Sequence, residues 1–137
     1  MSEYILPGRA DSPATLSSMR RWTVICHLSW LVGIFIPFGN ILGPLIVWLA
    51  KRHDYYEVEV HGKESLNFQL TWTFYGAIFG ALVTIVAFGL KLPMASVTLV
   101  GVLLIGALAL FALPTIAAIR AAGGHFFRYP LTIRFLK

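Results

Sequence analysis

The densest run of chemically capable side chains in this 137-residue sequence is HGKESLNFQ, residues 61–69. Glu64 is followed by Asn67 and Thr71 at helical spacings of three and seven residues, and Tyr75 comes four residues later. Because these positions share one face of an α-helix, the sequence predicts a polar stripe on an otherwise apolar helix. In a membrane, such a stripe either forms interhelical hydrogen bonds or serves as a polar pathway or substrate contact.

A histidine in the first apolar block is the second candidate for chemistry. His27 lies seven residues beyond Arg20, and a helical rise of roughly 1.5 Å per residue places it at the depth of Asn67 to Thr71. We predict an intramembrane polar cluster of His27, Asn67, Gln69 and Thr71. A neutral structural histidine and a proton-relaying or ligand-binding one both fit this position, and the pattern favours a structural role for His27 and Asn67.

An interfacial motif of four residues stands directly before the stripe. Charged side chains cost little free energy at the level of the lipid headgroups, so we expect the motif to stay exposed there and to serve function rather than packing. The motif consists of His61, Gly62, Lys63 and Glu64.

The sequence lacks the motifs of common enzymes and metal sites. It contains no G-x-S-x-G, no H-E-x-x-H and no phosphate-cradling glycine loop. The four histidines, at positions 27, 53, 61 and 125, do not have the spacing of metal ligands. The single cysteine, Cys26, cannot form an intramolecular disulfide. We therefore expect no enzymatic activity, no cofactor and no metal site.

Composition indicates a membrane protein whose partners include lipids. The chain is 58% hydrophobic and only 12% charged, too apolar for a soluble domain with a hydrated surface. Its net charge of +5 comes mostly from basic residues that flank apolar blocks. Such residues contact anionic headgroups, so we expect membrane lipids as partners and no nucleic-acid binding.

The first apolar block, residues 22–50, contains no Asp, Glu, Lys or Arg. A single helix of this length would extend about 43 Å, beyond the roughly 30 Å of a hydrocarbon core. Its interior is rich in residues that form turns or break helices. We predict a hairpin, with a helix over about residues 19–36, a turn at PFGN and a short or re-entrant second arm over about 41–51. The turn residues are Pro37, Gly39, Asn40, Gly43 and Pro44.

Two further uncharged blocks, residues 66–90 and 96–119, are long enough to cross a bilayer. The polar residues 51–65 connect the first block to the second, and Lys91 and Pro93 mark a short turn before the third. The predicted fold class is therefore all-α integral membrane, with a helical hairpin plus two transmembrane helices, four helices in total.

The predicted membrane domain covers residues 19–122. Residues 1–18 have too little apolar surface to fold alone and are predicted to form a flexible cytoplasmic tail. Residues 123–137 are amphipathic in character and are predicted to lie on the membrane surface. The second block also carries a GxxxG motif, which favours close helix packing. The residues of this packing face are Gly76, Gly80 and Thr84.

The distribution of basic residues predicts the topology. With a hairpin, the basic clusters before and after the first block and at the C-terminus all fall on one side of the membrane, and only Lys91 falls on the other. The positive-inside rule then places both termini and residues 51–65 in the cytoplasm. PFGN and Lys91 are expected near the opposite face.

Three segments carry a resemblance to a known family: CHLSWLVGIFIPFGNILGPLIVWL, HGKESLNFQ and FFRYPLTIRF. Together they resemble a widespread family of small bacterial membrane proteins of unknown function, which is grouped with the roughly twenty-kilodalton multispanning component of the chloroplast Tic import machinery. The resemblance covers about residues 19–136. It implies a four-helix membrane protein without known catalysis, located in the bacterial inner membrane, and it suggests a translocon-related role. The family's polar positions map to His27, Asn40, His61, Gly62, Lys63, Glu64, Asn67 and Gln69.

Two functions fit these observations. The first is a small non-enzymatic inner-membrane protein that acts by association, as an oligomer or as an accessory subunit of a larger membrane assembly such as a translocon. Its partners are then other membrane protein subunits or further copies of the chain. The alternative is a small oligomeric channel or transporter with a polar path near His27, Asn67 and Thr71.

Overall fold

The structure is all-α, as predicted. A computed structural model describes residues 12–90 and 93–137, and these residues form four α-helices, one 3₁₀-helix and no strand. The Ser12 hydroxyl caps the first helix by accepting a hydrogen bond from the Thr15 amide. That helix begins earlier than the predicted start at residue 19; residues 1–11 lie outside the described residues. The elements are α1 (Pro13–Leu28), a 3₁₀-helix (Ser29–Ile34), α2 (Gly39–Lys51), α3 (Tyr56–Leu90) and α4 (Pro93–Ala122).

The predicted hairpin is confirmed, but its first arm changes helix type. α-Helix gives way to 3₁₀-helix at Ser29, whereas the prediction continued α-helix to residue 36. The two arms meet backbone to backbone. A Cβ added to Gly43 would collide with the Ser29 carbonyl oxygen, and one added to Gly39 would lie 2.6 Å from the Val32 oxygen. Glycine permits this approach because it has no side chain.

The turn between the arms contains one residue in the left-handed region. Phe38, with φ 61°, occupies this position directly before α2, which begins at Gly39. Pro44 is fully buried within α2. The side chain of Asn40 points to α3, where its Nδ2 donates to Thr73 Oγ1 at 3.2 Å. The turn is therefore anchored to α3 by a polar contact.

The polar segment predicted to connect the first two blocks is mostly helical. α3 begins at Tyr56, so the connection shrinks to a few residues after Lys51. Two acidic residues lie in the first turn of α3, where the helix dipole favours negative charge. Lys63 also forms an ion pair with Glu59, one helical turn earlier, at 2.7 Å. These charges give residues 56–65 a hydrated helical face, while Val58 on another face is fully buried.

The hairpin reaches only halfway along α3. Thr73, which contacts Asn40, lies midway between Tyr56 and Leu90. The turn is therefore about 25 Å from the far end of α3 at a helical rise of 1.5 Å per residue. The prediction that PFGN lies at the same level as the α3–α4 connection is wrong, because α2 has only 13 residues. Lys91 itself lies outside the described residues.

Within the described part of the chain, two helices are long and apolar enough to cross a membrane. They cover Tyr56–Val86 and Leu99–Ala122, and only 11% and 17% of their most apolar segments are buried inside the chain. The helix Gly39–Lys51 is apolar but shorter. Large apolar side chains on α3 and α4 that face away from the protein suit contact with lipid.

The C-terminal segment, residues 123–137, is not helical and runs back along α3. Gly124 adopts a positive φ of 77° after the end of α4 and redirects the chain. Tyr129 is buried, and its ring stacks on Phe68 with centroids 4.2 Å apart. Phe68, Ala117 and Tyr129 form the small buried core where α3, α4 and the tail meet. That the tail also lies on the membrane surface stays a prediction.

Candidate functional site

The polar stripe of α3 binds the backbone of the C-terminal segment. Asn67 contacts Leu136 twice: its Nδ2 donates to the carbonyl oxygen at 2.9 Å, and its Oδ1 accepts from the amide at 2.8 Å. One helical turn on, Thr71 Oγ1 accepts from the Ile133 amide at 3.0 Å. Side chains on one face of a helix thus serve as hydrogen-bonding partners for an extended chain that has no strand beside it.

Glu64 begins this row of contacts and is buried. Its Oε1 accepts from the Tyr129 amide at 2.9 Å and lies 3.4 Å from the Arg134 guanidinium. Only 6% of Glu64 is exposed. The expectation that this residue stays exposed at the headgroups is wrong, because the C-terminal segment folds over it. The carboxylate is satisfied by an amide and a cation from the same segment.

His27 and His61 form the centre of the site. His27 Nε2 lies 2.9 Å from His61 Nδ1, and His27 Nδ1 lies 3.0 Å from the Tyr129 hydroxyl. Both histidines are buried. The prediction that His27 contacts Asn67 or Thr71 is therefore wrong, and so is the prediction that His61 is exposed. The cause is the register of α1 against α3, in which the Ser65 hydroxyl donates to the Cys26 carbonyl.

The hydrogen bonds that join Tyr129, His27 and His61 can both form with the two imidazoles neutral. If the Tyr129 hydroxyl donates to His27 Nδ1, then His27 Nε2–H donates to His61 Nδ1. Burial, followed by the nearby Glu64 carboxylate, raises the pKa of the Tyr129 phenol. The phenol is thus held in its hydrogen-bonding, neutral form. The arrangement joins α1, α3 and the C-terminal segment at one point.

Gln69 belongs to a different contact from the rest of the predicted cluster. Asn40 Nδ2 lies 3.4 Å from Gln69 Oε1, so Gln69 faces the hairpin while Asn67 and Thr71 face the tail. Gln69 Nε2 is buried and has no hydrogen-bond partner within the described part of the chain. The predicted cluster of four is divided between two faces of α3.

Of the remaining members of the interfacial motif, Gly62 packs against α2 and Lys63 forms an ion pair. A Cβ on Gly62 would lie 2.5 Å from the Trp48 ring, so glycine at this position lets α2 approach α3. Lys63 is partly exposed and pairs with Glu59. In residues 12–90 and 93–137, no group of three His, Cys, Asp or Glu side chains is placed to hold a metal ion.

The predicted helix-packing face meets open space. A Cβ added to Gly76 or Gly80 would have no atom within 4 Å, and the Thr84 hydroxyl donates to the Gly80 carbonyl of its own helix. Beside this face, a groove of about 450 Å³ runs between α3 and α4. Its lining includes Trp72, Gly76, Phe79, Leu103, Gly106 and Leu110.

Sequence reasoning missed the partners contributed by the C-terminal segment. Tyr129, Arg134 and the backbone of residues 131–136 complete the site. One signal was present, since Pro130 disfavours a helical conformation for Tyr129 and so argues against an amphipathic helix there. The signal does not identify which face of the protein the extended chain would bind.

A family comparison covers almost the whole of this arrangement. Residues 18–136 match the magnetosome magnetite crystal formation protein family, MamF/MmsF. The chain belongs to this family. The MamF/MmsF match includes both histidines and the C-terminal segment that covers them. No curated protein and no solved structure matches the chain. The relation to the chloroplast Tic component stays a prediction.

Proposed function

We propose that this MamF/MmsF family member is a membrane protein that acts by association and takes part in the magnetite crystal formation named in the family description. The family match supports the process. The open glycine face of α3 supports the mode of action. The partner is a further copy of the chain or another membrane protein, and no catalytic step is assigned to the chain itself.

The use of glycine differs between the two halves of the molecule. In the hairpin, Gly39 and Gly43 are held against neighbouring backbone. On α3 and α4, by contrast, Gly76, Gly80 and Gly106 have nothing within 4 Å of an added Cβ. Packing within the chain thus explains the first group and not the second. Small residues on a lipid-facing helix let a second helix approach closely, which makes this surface the proposed association face.

No observation favours the channel or transporter alternative. His27, Asn67 and Thr71 are buried, and their polar atoms bind His61 and the C-terminal segment. A conduit needs polar groups that face water. The translocon-like role suggested by the Tic resemblance likewise has no support from the contacts of this chain, and we do not propose it.

We further propose that the chain crosses the membrane more than once, with both termini in the cytoplasm. The membrane is the bacterial inner membrane or the magnetosome membrane named by the family. Basic residues support this orientation: Arg20 lies against the end of α4, since a Cβ on Gly124 would be 3.3 Å from its guanidinium. Arg120 lies in the last turn of α4. Basic groups from α1 and α4 are therefore at the same end of the molecule, where anionic headgroups would meet them.

Chemical crosslinking in intact membranes, followed by extraction in mild detergent, tests association. We expect a crosslinked species larger than the monomer. Replacing both Gly76 and Gly80 with Leu should reduce it strongly, because the added side chains keep the second helix at a distance. The matched control is Ala77→Leu with Ala81→Leu, which has the same spacing and introduces the same side chain on a neighbouring strip of the helix. Equal crosslinking of the two double variants, or monomer alone in the unmodified protein, would contradict the proposal.

A further inference from the structure

The protein mass is concentrated around one half of α3. The hairpin forms hydrogen bonds with α3 from His61 to Thr73, the midpoint of the helix. The C-terminal segment forms its hydrogen bonds from Glu64 to Tyr75. The same half of α3 is thus surrounded by α1, the 3₁₀-helix, α2, the tail and the end of α4.

The other half of the long helices is lined with exposed apolar side chains. On α3, Leu82 is 56% and Ile85 67% exposed. On α4, Leu104 and Leu108 are similarly exposed. Beyond the tip of the hairpin, the described elements are α3 and α4 alone. A cross-section through this half is therefore much smaller than one through the hairpin half.

The hairpin itself has the features of a segment that enters a bilayer and ends inside it. At its base, Lys51 Nζ lies 5.1 Å from the Trp22 ring centroid, and the Arg52 guanidinium lies 4.8 Å from that of Trp48. Tryptophans with cations suit the headgroup level. At its tip, Phe35 is 85% exposed without a charged neighbour in the turn. The 13 residues of α2 extend about 20 Å, less than the roughly 30 Å of a hydrocarbon core.

From these observations we propose that the hairpin enters only one leaflet, so that the protein is a wedge, wide in that leaflet and narrow in the other. A protein of this shape is expected to prefer a curved lipid membrane, with its wide half in the convex leaflet. Extra inserted area in one leaflet is accommodated with least strain where that leaflet is already expanded, which is why shallow insertions respond to curvature. The proposal does not depend on association with another protein.

The depth of the hairpin tip tests the first part of the proposal. A spin label at Phe35→Cys, in a Cys26→Ala background reconstituted in vesicles, should lie near the bilayer centre. It should then be accessible to oxygen and protected from a water-soluble nickel complex. Leu82→Cys, on the far half of α3, gives the reference for a lipid-facing position beyond the tip. A label at either headgroup region would overturn the single-leaflet placement.

Sorting between vesicles of different size tests the second part. A fluorophore at Lys137→Cys, with a membrane-impermeant quencher, separates proteins with the tail outside from those with it inside. For proteins with the tail outside, the protein density per lipid should be roughly twofold higher on the smallest vesicles than on large ones. For proteins with the tail inside, the density should be lower on the smallest vesicles than on large ones. The two orientations of one protein control for each other. The same size distribution for both would refute the wedge.

Discussion

At the scale of single residues, hydrogen bonds at the site hold the extended C-terminal segment against α3. Asn67 replaces the neighbouring strand that an extended chain would otherwise need, because its amide offers both a donor and an acceptor to Leu136. Tyr129 carries the second attachment through His27. Both contacts join positions far apart in the sequence, so they fix the tertiary structure rather than a helix.

Replacing Asn67 with Leu should loosen the tail without unfolding the helices. The near-isosteric side chain leaves the Leu136 amide and carbonyl without their partner, and hydrogen bonds in membrane proteins contribute about 0.6 kcal/mol on average and at most about 2. Trypsin should then cleave after Arg134 faster than in the unmodified protein. Thr84→Val, which removes a hydroxyl bound only to its own helix, is the control. Equal cleavage rates in both variants would show that Asn67 does not hold the tail against α3.

The Tyr129 phenol should make the folded state sensitive to alkaline pH. Because its pKa is raised in the fold, the stabilisation is complete below the unfolded-state value of about 10 and is lost as the pH rises above it. In detergent, Tyr129→Phe should be about 1 kcal/mol less stable at neutral pH, since the bond to His27 is missing. The difference between the two proteins should shrink between about pH 10 and 11. A constant difference in unfolding free energy would argue against the assigned environment.

At the scale of elements, hairpin geometry depends on close backbone contacts between the two arms, one of which is made at Gly43. Gly43→Ala should destabilise the protein by roughly 1–3 kcal/mol, because the new methyl group meets the Ser29 carbonyl oxygen and the two backbones must separate. Gly101→Ala in α4 is the matched control: it has free space and gains helix propensity, so it should be neutral or stabilising. Unfolding in a denaturing detergent measures both. A smaller loss for Gly43→Ala than for Gly101→Ala would show that the arms do not touch.

Much of the fold was predictable from the sequence, because apolar blocks and helix breakers act locally. The density of Pro and Gly in residues 37–44 specified a hairpin, and the spacing of Glu64, Asn67 and Thr71 specified one polar face. The early start of α3 was missed because its polar residues were interpreted as a loop, although they form the hydrated face of an amphipathic helix.

The partners at the site were not predictable in the same way. Helical rise alone placed His27 beside Asn67, but the register of α1 on α3 depends on a contact between Cys26 and Ser65 that no local pattern encodes. The burial of Glu64 follows from a segment 65 residues later in the chain. Such long-range pairings require the packed structure, which is why the interfacial motif was expected to be exposed.

At the scale of the whole molecule, α3 and α4 are long and apolar enough to cross a membrane, and the hairpin and tail pack around one half of α3. Asn40 ties the hairpin turn to Thr73, and the basic residues at the base of the hairpin remain at the end where α4 finishes. In the proposed wedge, this asymmetry makes the orientation in the membrane consequential, since it decides which leaflet receives the wide half.

Topology can be read with single cysteines in a Cys26→Ala protein expressed in the inner membrane of a host bacterium. His53 is exposed beside the start of α3, and Lys137 is exposed in the tail. With both on the cytoplasmic side, His53→Cys and Lys137→Cys should react with a membrane-impermeant thiol reagent only after lysis, as the positive-inside rule requires. A cysteine at residue 91, in the connection between α3 and α4, should react in intact cells. The cysteine-free protein reports the background. Labelling of position 53 from outside would reverse the orientation, and with it the leaflet that accommodates the hairpin.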